Sequence, residues 1–531
     1  MRERGIVRRS LGWLAGITAA VLIVLAVLVG LARLLLPLAT DYQDQIRRFV
    51  TEATGFDVRF GTLSASWPLS GPEVRFSDVR IAMLSDERPV FDARELSVGV
   101  NVWRLIVDRR LQPGRIAVSG ASVKAERLPT GQWLVNTVFL DELLRRPRNQ
   151  RLPRLDLQLR DIELVVEDPS RLEPRLALGI RQLDLDLGSR LVGFAAEVDG
   201  RDGLGLGIEL AGTVPAALLP AGRPPAPTTV RDPLAWDVRA TGADLDVARW
   251  LRMLANEPVP LASGRGDVDL QATFAGTAPT AVEVDLDLGP TVWDGVVTAD
   301  NNFEGLELQA AWQRSAAGWE ASLRRFAVQR DSRKSPAATG SMSYRAPGND
   351  ASGALTAVAR DMRLQDLWPI VWSVASTGLR RDLLPERLDG DISDFKLTAF
   401  LPADQPPGWV AEATFSKVGL VMPAPGWAVT GVTGTVRADQ SGGRVDLDSR
   451  AGFLRFPKLF RADIRTSSAT GLLGWKRSEQ GLEVFGDDLQ IATPDGESRS
   501  RFRVNFPPAG SVFVDIAANF VASSAPAALN Y

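Results

Sequence analysis

The chain has 531 residues, with 61 basic and 64 acidic side chains, a formal net charge of −3, and no cysteine or histidine. The missing residue types exclude disulfide bonds, thiolate nucleophiles, Ser-His-Asp triads and zinc sites built on histidine or cysteine. The balanced charge produces no field that would attract nucleic acid. We therefore expect a protein that is not an enzyme, does not bind nucleic acid, and has no cofactor or metal site.

The first predicted element is a membrane-spanning helix from Leu11 to Ala32, a stretch without ionisable side chains. At about 1.5 Å per residue it covers the roughly 30 Å hydrocarbon core of a bilayer. A cleaved signal peptide is the alternative, but its apolar region would be about 7 to 15 residues long. Basic flanks stay cytoplasmic, and the flanking arginines here are Arg2, Arg4, Arg8 and Arg9. The sequence therefore predicts a single-pass membrane protein with a cytoplasmic N-terminus and its bulk in the other compartment, which in a bacterium is the periplasm.

Beyond the anchor, an amphipathic helix is predicted from Asp41 to Ala53, and Gly55 ends it. From Phe56 the apolar period changes to two, which is typical of a strand with one buried and one wet face. The alternation then recurs in runs that we interpret as strands: Leu96, Val98, Val100, Val102; Leu155, Leu157, Leu159; Ile162, Leu164, Val166; Leu176, Leu178, Ile180; Leu183, Leu185, Leu187; Val282, Val284, Leu286, Leu288; and Phe502, Val504, Phe506. Short helices are predicted over Val102–Leu111, Asp141–Arg146, Asp246–Leu254 and Leu364–Val374.

These elements predict a mainly β fold, in which the transmembrane helix is followed by an antiparallel meander of strands, each with one apolar face, and a few short helices. The predicted segments are 1–39 (cytoplasmic tip and anchor), 40–214 (first sheet segment with the amphipathic helix), 215–233 (Pro-rich loop), 234–400 (second sheet segment) and 401–531 (third sheet segment, which looks truncated).

Acidic residues alternate with leucine in two strands, at Asp184 and Asp186 and at Asp285 and Asp287. Carboxylates two residues apart could ligate Ca²⁺, but the loop spacing of a calcium site is missing. Residues at i and i+2 of a strand simply share one face. We expect this face to be solvated, with no metal bound.

The order and spacing of the N-terminal motifs resemble the AsmA-like superfamily, and within it the YhdP family of Gram-negative envelope proteins. The resemblance is carried by the amphipathic helix, Gly55–Gly61, Trp67, Gly71-Pro72, Val74–Ile81, Leu96–Trp103, Arg109–Leu111, Gly114–Ile116, Ser119-Gly120, Val123, Arg127 and Gly131–Trp133. Members of that family are much longer than this chain. These motifs are structural rather than catalytic signatures, and they identify no catalytic residue.

The resemblance implies an inner-membrane protein whose strands form an elongated, curved antiparallel β-sheet groove. It further implies bridge-like phospholipid transport between the inner and outer membranes through this apolar groove, and this transport would support the outer-membrane permeability barrier. The implied partners are phospholipid, the inner membrane and outer-membrane components. An open sheet with one apolar face could bury lipid tails there, and the candidate groove residues are Leu96, Val98, Val100, Val102, Leu155, Leu157, Leu159, Leu183, Leu185 and Leu187. The alternative is a periplasmic scaffold of closed sandwiches for outer-membrane assembly.

Overall fold

The computed structural model describes residues 56–66, 73–83, 89–100, 113–143, 155–187, 191–201, 203–215, 235–255, 259–293, 302–347, 352–375, 385–402, 407–422, 426–455, 457, 463–508 and 511–522. The predicted anchor Leu11–Ala32, the amphipathic helix and the predicted helix Val102–Leu111 lie outside these ranges. None of the helices within the ranges has the length and apolar character needed to span a membrane.

The chain divides into two compact units, the first up to Ala240 and the second from Thr241. The first contains β1 Phe56–Arg59, β2 Thr62–Ser66, β3 Glu73–Met83, β4 Pro89–Val100, β5 Pro113–Arg127, β6 Trp133–Val135, β7 Val138–Phe139, helix α1 Leu140–Leu143, β8 Leu155–Glu167, β9 Arg175–Leu187, β10 Leu191–Gly200 and β11 Gly205–Pro215. Strand β12, Ala235–Asp246, runs across the boundary.

The second unit is built from strands and two helices. They are α2 Val247–Leu254, β13 Leu261–Ala275, β14 Ala278–Trp293, β15 Asn302–Phe303, β16 Gly305–Ser315, β17 Gly318–Arg330, β18 Arg333–Lys334, β19 Ala338–Arg345, β20 Gly353–Arg363, α3 Leu364–Ala375, β21 Arg387–Leu401, β22 Gly408–Val421, β23 Ala428–Asp439, β24 Gly442–Arg455, β25 Ile464–Ser478, β26 Gly481–Thr493, β27 Gly496–Phe506 and β28 Phe513–Ala522.

The prediction of a mainly β fold is confirmed, but the sheet of the first unit is mixed rather than antiparallel throughout. Strands β5 and β8 run parallel, with Ile116 opposite Leu157 and Val118 opposite Leu159. The other strand pairs described in this unit are antiparallel. A parallel pair requires a crossover connection, which a tight turn cannot provide. Here the chain between β5 and β8 forms β6, β7 and α1 before it returns to the starting end of β5.

Several runs that the sequence presents as separate strands are halves of one strand. Leu155–Leu159 and Ile162–Val166 both belong to β8, and the alternation shifts by one residue at Asp161. Asp161 has a φ of 51°, a left-handed conformation at which the alternation changes while β8 and β9 stay in register. Leu159 and Ile162 therefore pack in one apolar cluster with Val118 and Ala121. Equivalent positions lie at the same point of the neighbouring strands, at Asp78, Arg94, Gly120 and Arg181. We call these four positions and Asp161 the bulge line.

In the second unit, successive main strands pair antiparallel from β13 to β28. The side of this sheet where one set of strand ends lies, which we call the hairpin edge, contains the tight turns at 276–277, 316–317, 440–441 and 479–480. The opposite edge, which we call the helix edge, contains α2 before β13 and α3 before β21. The predicted helices Asp246–Leu254 and Leu364–Val374 are confirmed to within one residue.

Part of the apolar core of the second unit lies towards the helix edge. Leu288, Leu306 and Val328 are opposite one another in β14, β16 and β17, and each is at most 4% exposed. Helix α2 packs on β13, and α3 contacts β14, β20 and β21. Asp246 starts α2 by accepting a hydrogen bond from the Arg249 N–H at 3.0 Å. The sheet is therefore covered at one edge, and its middle is where a binding surface can lie.

Candidate binding face of the sheet

Residues that lie directly opposite in paired strands point to the same face of a sheet, so the strand register defines which side chains share a surface. In the first unit one such row crosses from β2 to β11 without a polar residue. The row consists of Leu63, Phe76, Leu96, Val118, Leu159, Leu183, Ala196 and Leu210. The adjacent row on the same face consists of Ala65, Val74, Val98, Ile116, Leu157, Leu185, Phe194 and Gly212.

These rows bring together most of the groove residues that the sequence predicts. Leu96, Leu159 and Leu183 belong to the first row, and Val98, Leu157 and Leu185 belong to the second. Leu155 is opposite Leu187 one step further, and Val100 is opposite Pro113. Val102 lies outside the described residues. The six candidates in the two rows therefore share one face, and the role of all the candidates as a lipid groove stays a prediction.

The second unit carries two apolar rows from β13 to β28. The first consists of Leu270, Val284, Ala310, Leu323, Gly340, Ala359, Phe395, Ala413, Val436, Val445, Leu473, Gly486, Phe502 and Ile516. The second consists of Ala272, Val282, Trp312, Ala321, Met342, Ala357, Leu397, Ala411, Ala438, Gly443, Trp475, Val484, Val504 and Val514. At about 4.8 Å between strands, each row extends for roughly 60 Å.

We call the face that carries these rows the apolar face of each unit. In the second unit most of its middle is half-buried rather than fully covered, and Met342 is 38% exposed. A cavity of about 420 Å³ lies on this face, lined by side chains that include Val284, Trp312, Leu323 and Met342. The surface is therefore accessible, apolar and continuous over many strands.

The opposite, polar face carries charges that neutralise one another. In the first unit a cavity of about 560 Å³ at the bulge line is lined by charged residues, among them Arg94, Asp161, Arg181 and Asp199. Arg94 lies 3.7 Å from Asp161, and Arg181 lies 2.9 Å from Asp199. Because these charges are paired internally, this cavity offers no free charge for a ligand. The polar face is better explained as a solvated exterior.

The alternating acidic residues of both strands lie on the polar face. Asp184 and Asp186 alternate with the leucines of the apolar rows and so lie on the polar face. In the second unit Asp285 and Asp287 do the same, and Asp285 accepts a hydrogen bond from Gln309 at 2.9 Å. Within the described ranges, no group of three or more acidic residues is placed to hold a metal ion.

One buried acid lies in the first turn of α3, at the helix edge. Asp366 is 5% exposed, and burial raises the pKa of its carboxyl although the Arg363 guanidinium lies 3.7 Å away. Arg330 also lowers this pKa and Asp391 raises it further. The neighbours of Asp366 are arginines and another carboxylate rather than a nucleophile, so the site resembles a structural ion cluster more than a catalytic centre.

Sequence reasoning missed most of the apolar face in the second unit. Between residues 300 and 500 half of the positions in the two rows are alanine or glycine, for example Ala310, Gly340 and Ala359. Such residues give little hydrophobic contrast with the polar face, so period-two alternation is weak there. The spacing of Trp319, Ala321 and Leu323 is a signal that could have found it.

Comparison with known proteins places these features in context. Residues 1–531 match the family described as YhdP protein. One curated relative, the intermembrane phospholipid transporter YhdP of Escherichia coli (strain K12), is 32% identical over 105 residues, which are 20% of this chain. The match spans 8% of that relative's length. No solved structure matches the chain significantly.

Proposed function

The chain belongs to the YhdP family, and we propose that it carries phospholipid between the inner and outer membranes of a Gram-negative envelope, along the apolar face of its sheet. The observation that carries the proposal is the pair of uninterrupted apolar rows from β13 to β28. The relative named as an intermembrane phospholipid transporter supports the same cargo.

The physical reason is that an apolar face needs a cover. Each CH₂ group removed from water contributes about 0.8 kcal/mol, so acyl chains lying on the rows would be held without any specific side-chain chemistry. Because the rows continue from strand to strand, a tail can move along them and keep the same kind of contact throughout. A protein without cysteine or histidine is suited to this task.

The proposal includes the location. Leu11–Ala32 would anchor the chain in the inner membrane, with the arginines before it in the cytoplasm and the sheet in the periplasm. This places the first strands near the membrane surface, where lipid could enter. Transport to the outer membrane would then support the permeability barrier, and outer-membrane components would be partners.

Photo-crosslinking tests which face meets lipid. We would place p-benzoylphenylalanine at Leu185 or Ala411 on the apolar face, in the full chain expressed in a Gram-negative host, and identify adducts by mass spectrometry. The matched controls are the next residues along each strand, Asp186 and Glu412, which point to the polar face. We expect phospholipid adducts at Leu185 and Ala411, at least several-fold above the controls.

Equal labelling of both faces, or an absence of lipid adducts at all four positions, would contradict the proposal. Crosslinks from the apolar face to protein instead of lipid would favour the scaffold alternative.

A further inference from the structure

The apolar face of the second unit ends at the hairpin edge in a row that contains polar groups. Arg314 follows Ala310 and Trp312 on the same face of β16, two residues before the turn at 316–317. It is opposite Trp319, which is opposite Tyr344, and the rings of Trp319 and Tyr344 lie 6.2 Å apart. The row continues through Leu355 and Ala399 to Trp409.

Arg314 differs from other arginines nearby in the sheet. On the polar face, Arg325 lies 2.7 Å from Glu307 and Arg437 lies 3.2 Å from Glu412. Arg314 is exposed and has no ion-pair partner among the residues that the structure describes. Its guanidinium is thus available to an anion, and it lies beside apolar rows rather than beside carboxylates.

The same arrangement recurs further along the hairpin edge. Arg477 follows Trp475 on the apolar face, is opposite Leu482, and also has no ion-pair partner in the described part of the chain. Eight strand spacings of about 4.8 Å separate the two arginines, a distance of roughly 40 Å. The edge therefore offers at least two cationic positions.

Tryptophan and tyrosine suit the boundary between these arginines and the apolar rows. Each has an apolar ring and one polar group, which is why both residues are enriched where one end of a side chain is dry and the other wet. An arginine guanidinium offers several donors that match phosphate oxygens. Apolar rows, amphipathic aromatics and an unpaired arginine thus follow one another across this face.

We propose that the hairpin edge binds the phosphate of a phospholipid head group through Arg314, and at a second position through Arg477, while the tails lie on the apolar rows towards the helix edge. This inference rests on the proposed function and adds a lipid orientation to it. Half of a bilayer's hydrocarbon core is about 15 Å, which corresponds to about four or five residues along a strand at roughly 3.3 Å per residue, so one lipid would occupy a short part of the face.

The test compares two probes that share one fluorescent acyl chain, phosphatidylglycerol and diacylglycerol, which differ in the phosphate group. Binding to the purified full chain is measured for the wild type, Arg314→Gln, Arg477→Gln and the double variant. The matched control is Arg345→Gln, because Arg345 also has no described ion-pair partner but follows Tyr344 and so points to the polar face.

We expect the wild type to bind phosphatidylglycerol about tenfold more tightly than diacylglycerol, a ratio in the range of a charge-assisted hydrogen bond. The double variant should bring this ratio close to one without changing diacylglycerol affinity. Arg345→Gln should leave both affinities unchanged, and inorganic phosphate should not displace the lipid.

An unchanged ratio in the double variant, or an equal loss in Arg345→Gln, would overturn the head-group site and leave the apolar groove standing. Failure of both probes to bind the wild type would instead overturn the proposed function.

Discussion

Asp168 joins three parts of the first unit at one side chain. It follows β8 and is 7% exposed. Its carboxylate accepts hydrogen bonds from the Ser170 N–H at 3.0 Å and from the Arg127 guanidinium at the end of β5 at 3.2 Å. Arg171 lies 3.4 Å away. Burial raises the pKa of Asp168, but the hydrogen bonds from Ser170 and Arg127 outweigh it and leave the pKa below its usual value.

Replacing Asp168 therefore has a pH-dependent cost. A carboxyl group whose pKa is lower in the folded state stabilises the fold at pH values above its unfolded pKa, about 3.9. This stabilisation is lost as the pH falls through the folded pKa. We expect Asp168→Ala to lower the free energy of unfolding by about 1–3 kcal/mol at pH 7, and by less at pH 3. Urea unfolding followed by tryptophan fluorescence at both pH values measures this.

Asp168→Asn is the control, because it keeps an acceptor for the Ser170 amide but loses the charge that faces Arg127 and Arg171. It should lie between the wild type and Asp168→Ala at pH 7. Equal deficits at pH 7 and pH 3 would show that the charge of Asp168 contributes nothing.

Sequence alone could not have identified these partners at the residue scale. Arg127 and Asp168 are brought together by the parallel pairing of β5 with β8, which depends on a crossover rather than on a local pattern. For the same reason Arg314 could not be distinguished from the arginines of the polar face, because its lack of an acidic partner depends on the register of neighbouring strands.

At the scale of elements, left-handed aspartates interrupt strands without ending them. Asp361 lies in β20 with a φ of 54°, three residues before Leu364 begins α3. Asp244 has a φ of 51° and lies close before α2. A side chain branched at Cβ is strained in this conformation, whereas glycine adopts it freely.

We expect Asp361→Val to lower the free energy of unfolding by about 1–2 kcal/mol and Asp361→Gly to change it by much less. Arg360→Val, one residue earlier on an exposed part of the same strand, is the matched control and should have little effect. Denaturant unfolding of the three variants measures the difference. If the Val and Gly variants at Asp361 were equally stable, the φ of Asp361 would not be the reason for the choice of aspartate.

The strands themselves were largely predictable, but their boundaries were not. Period-two alternation identified both halves of β8 and β9, because leucine, isoleucine and valine contrast strongly with the residues between them. A one-residue shift in alternation is compatible with either a turn or a continuous strand, and only the pairing of Arg160 with Gln182 and Ile162 with Ile180 shows that the strands continue through it in register. The apolar face was predictable where it is built from large residues and hidden where Ala and Gly replace them.

At the scale of the whole molecule, the proposed transport passes through strands in series. Ala359 and Val436 lie in the same apolar row on different strands. A carboxylate at either position would present a charge to passing tails, and burying it without a partner is costly. We expect Ala359→Glu and Val436→Glu each to abolish transport, and the double variant to be no worse than either.

Outer-membrane permeability to a large antibiotic, in cells that depend on this protein, reports transport in these variants. Lys396→Glu, on the polar face between the two apolar rows, is the control and should transport normally. The effects of the two substitutions on the free energy of unfolding should instead add in the double variant, because the two positions are distant from each other. Two partial defects that multiply in the double variant would contradict transport along a single path.

The antiparallel order of the second unit also bears on how such a chain changes in evolution. Removing one residue inside a strand turns the remainder of that strand over and would place its charges among the apolar rows. Removing a whole hairpin, for example β23 with β24, deletes two members of each row and lets the flanking strands pair in the same direction as before. Length in this architecture is therefore free to vary in steps of two strands, and strongly constrained in steps of one residue.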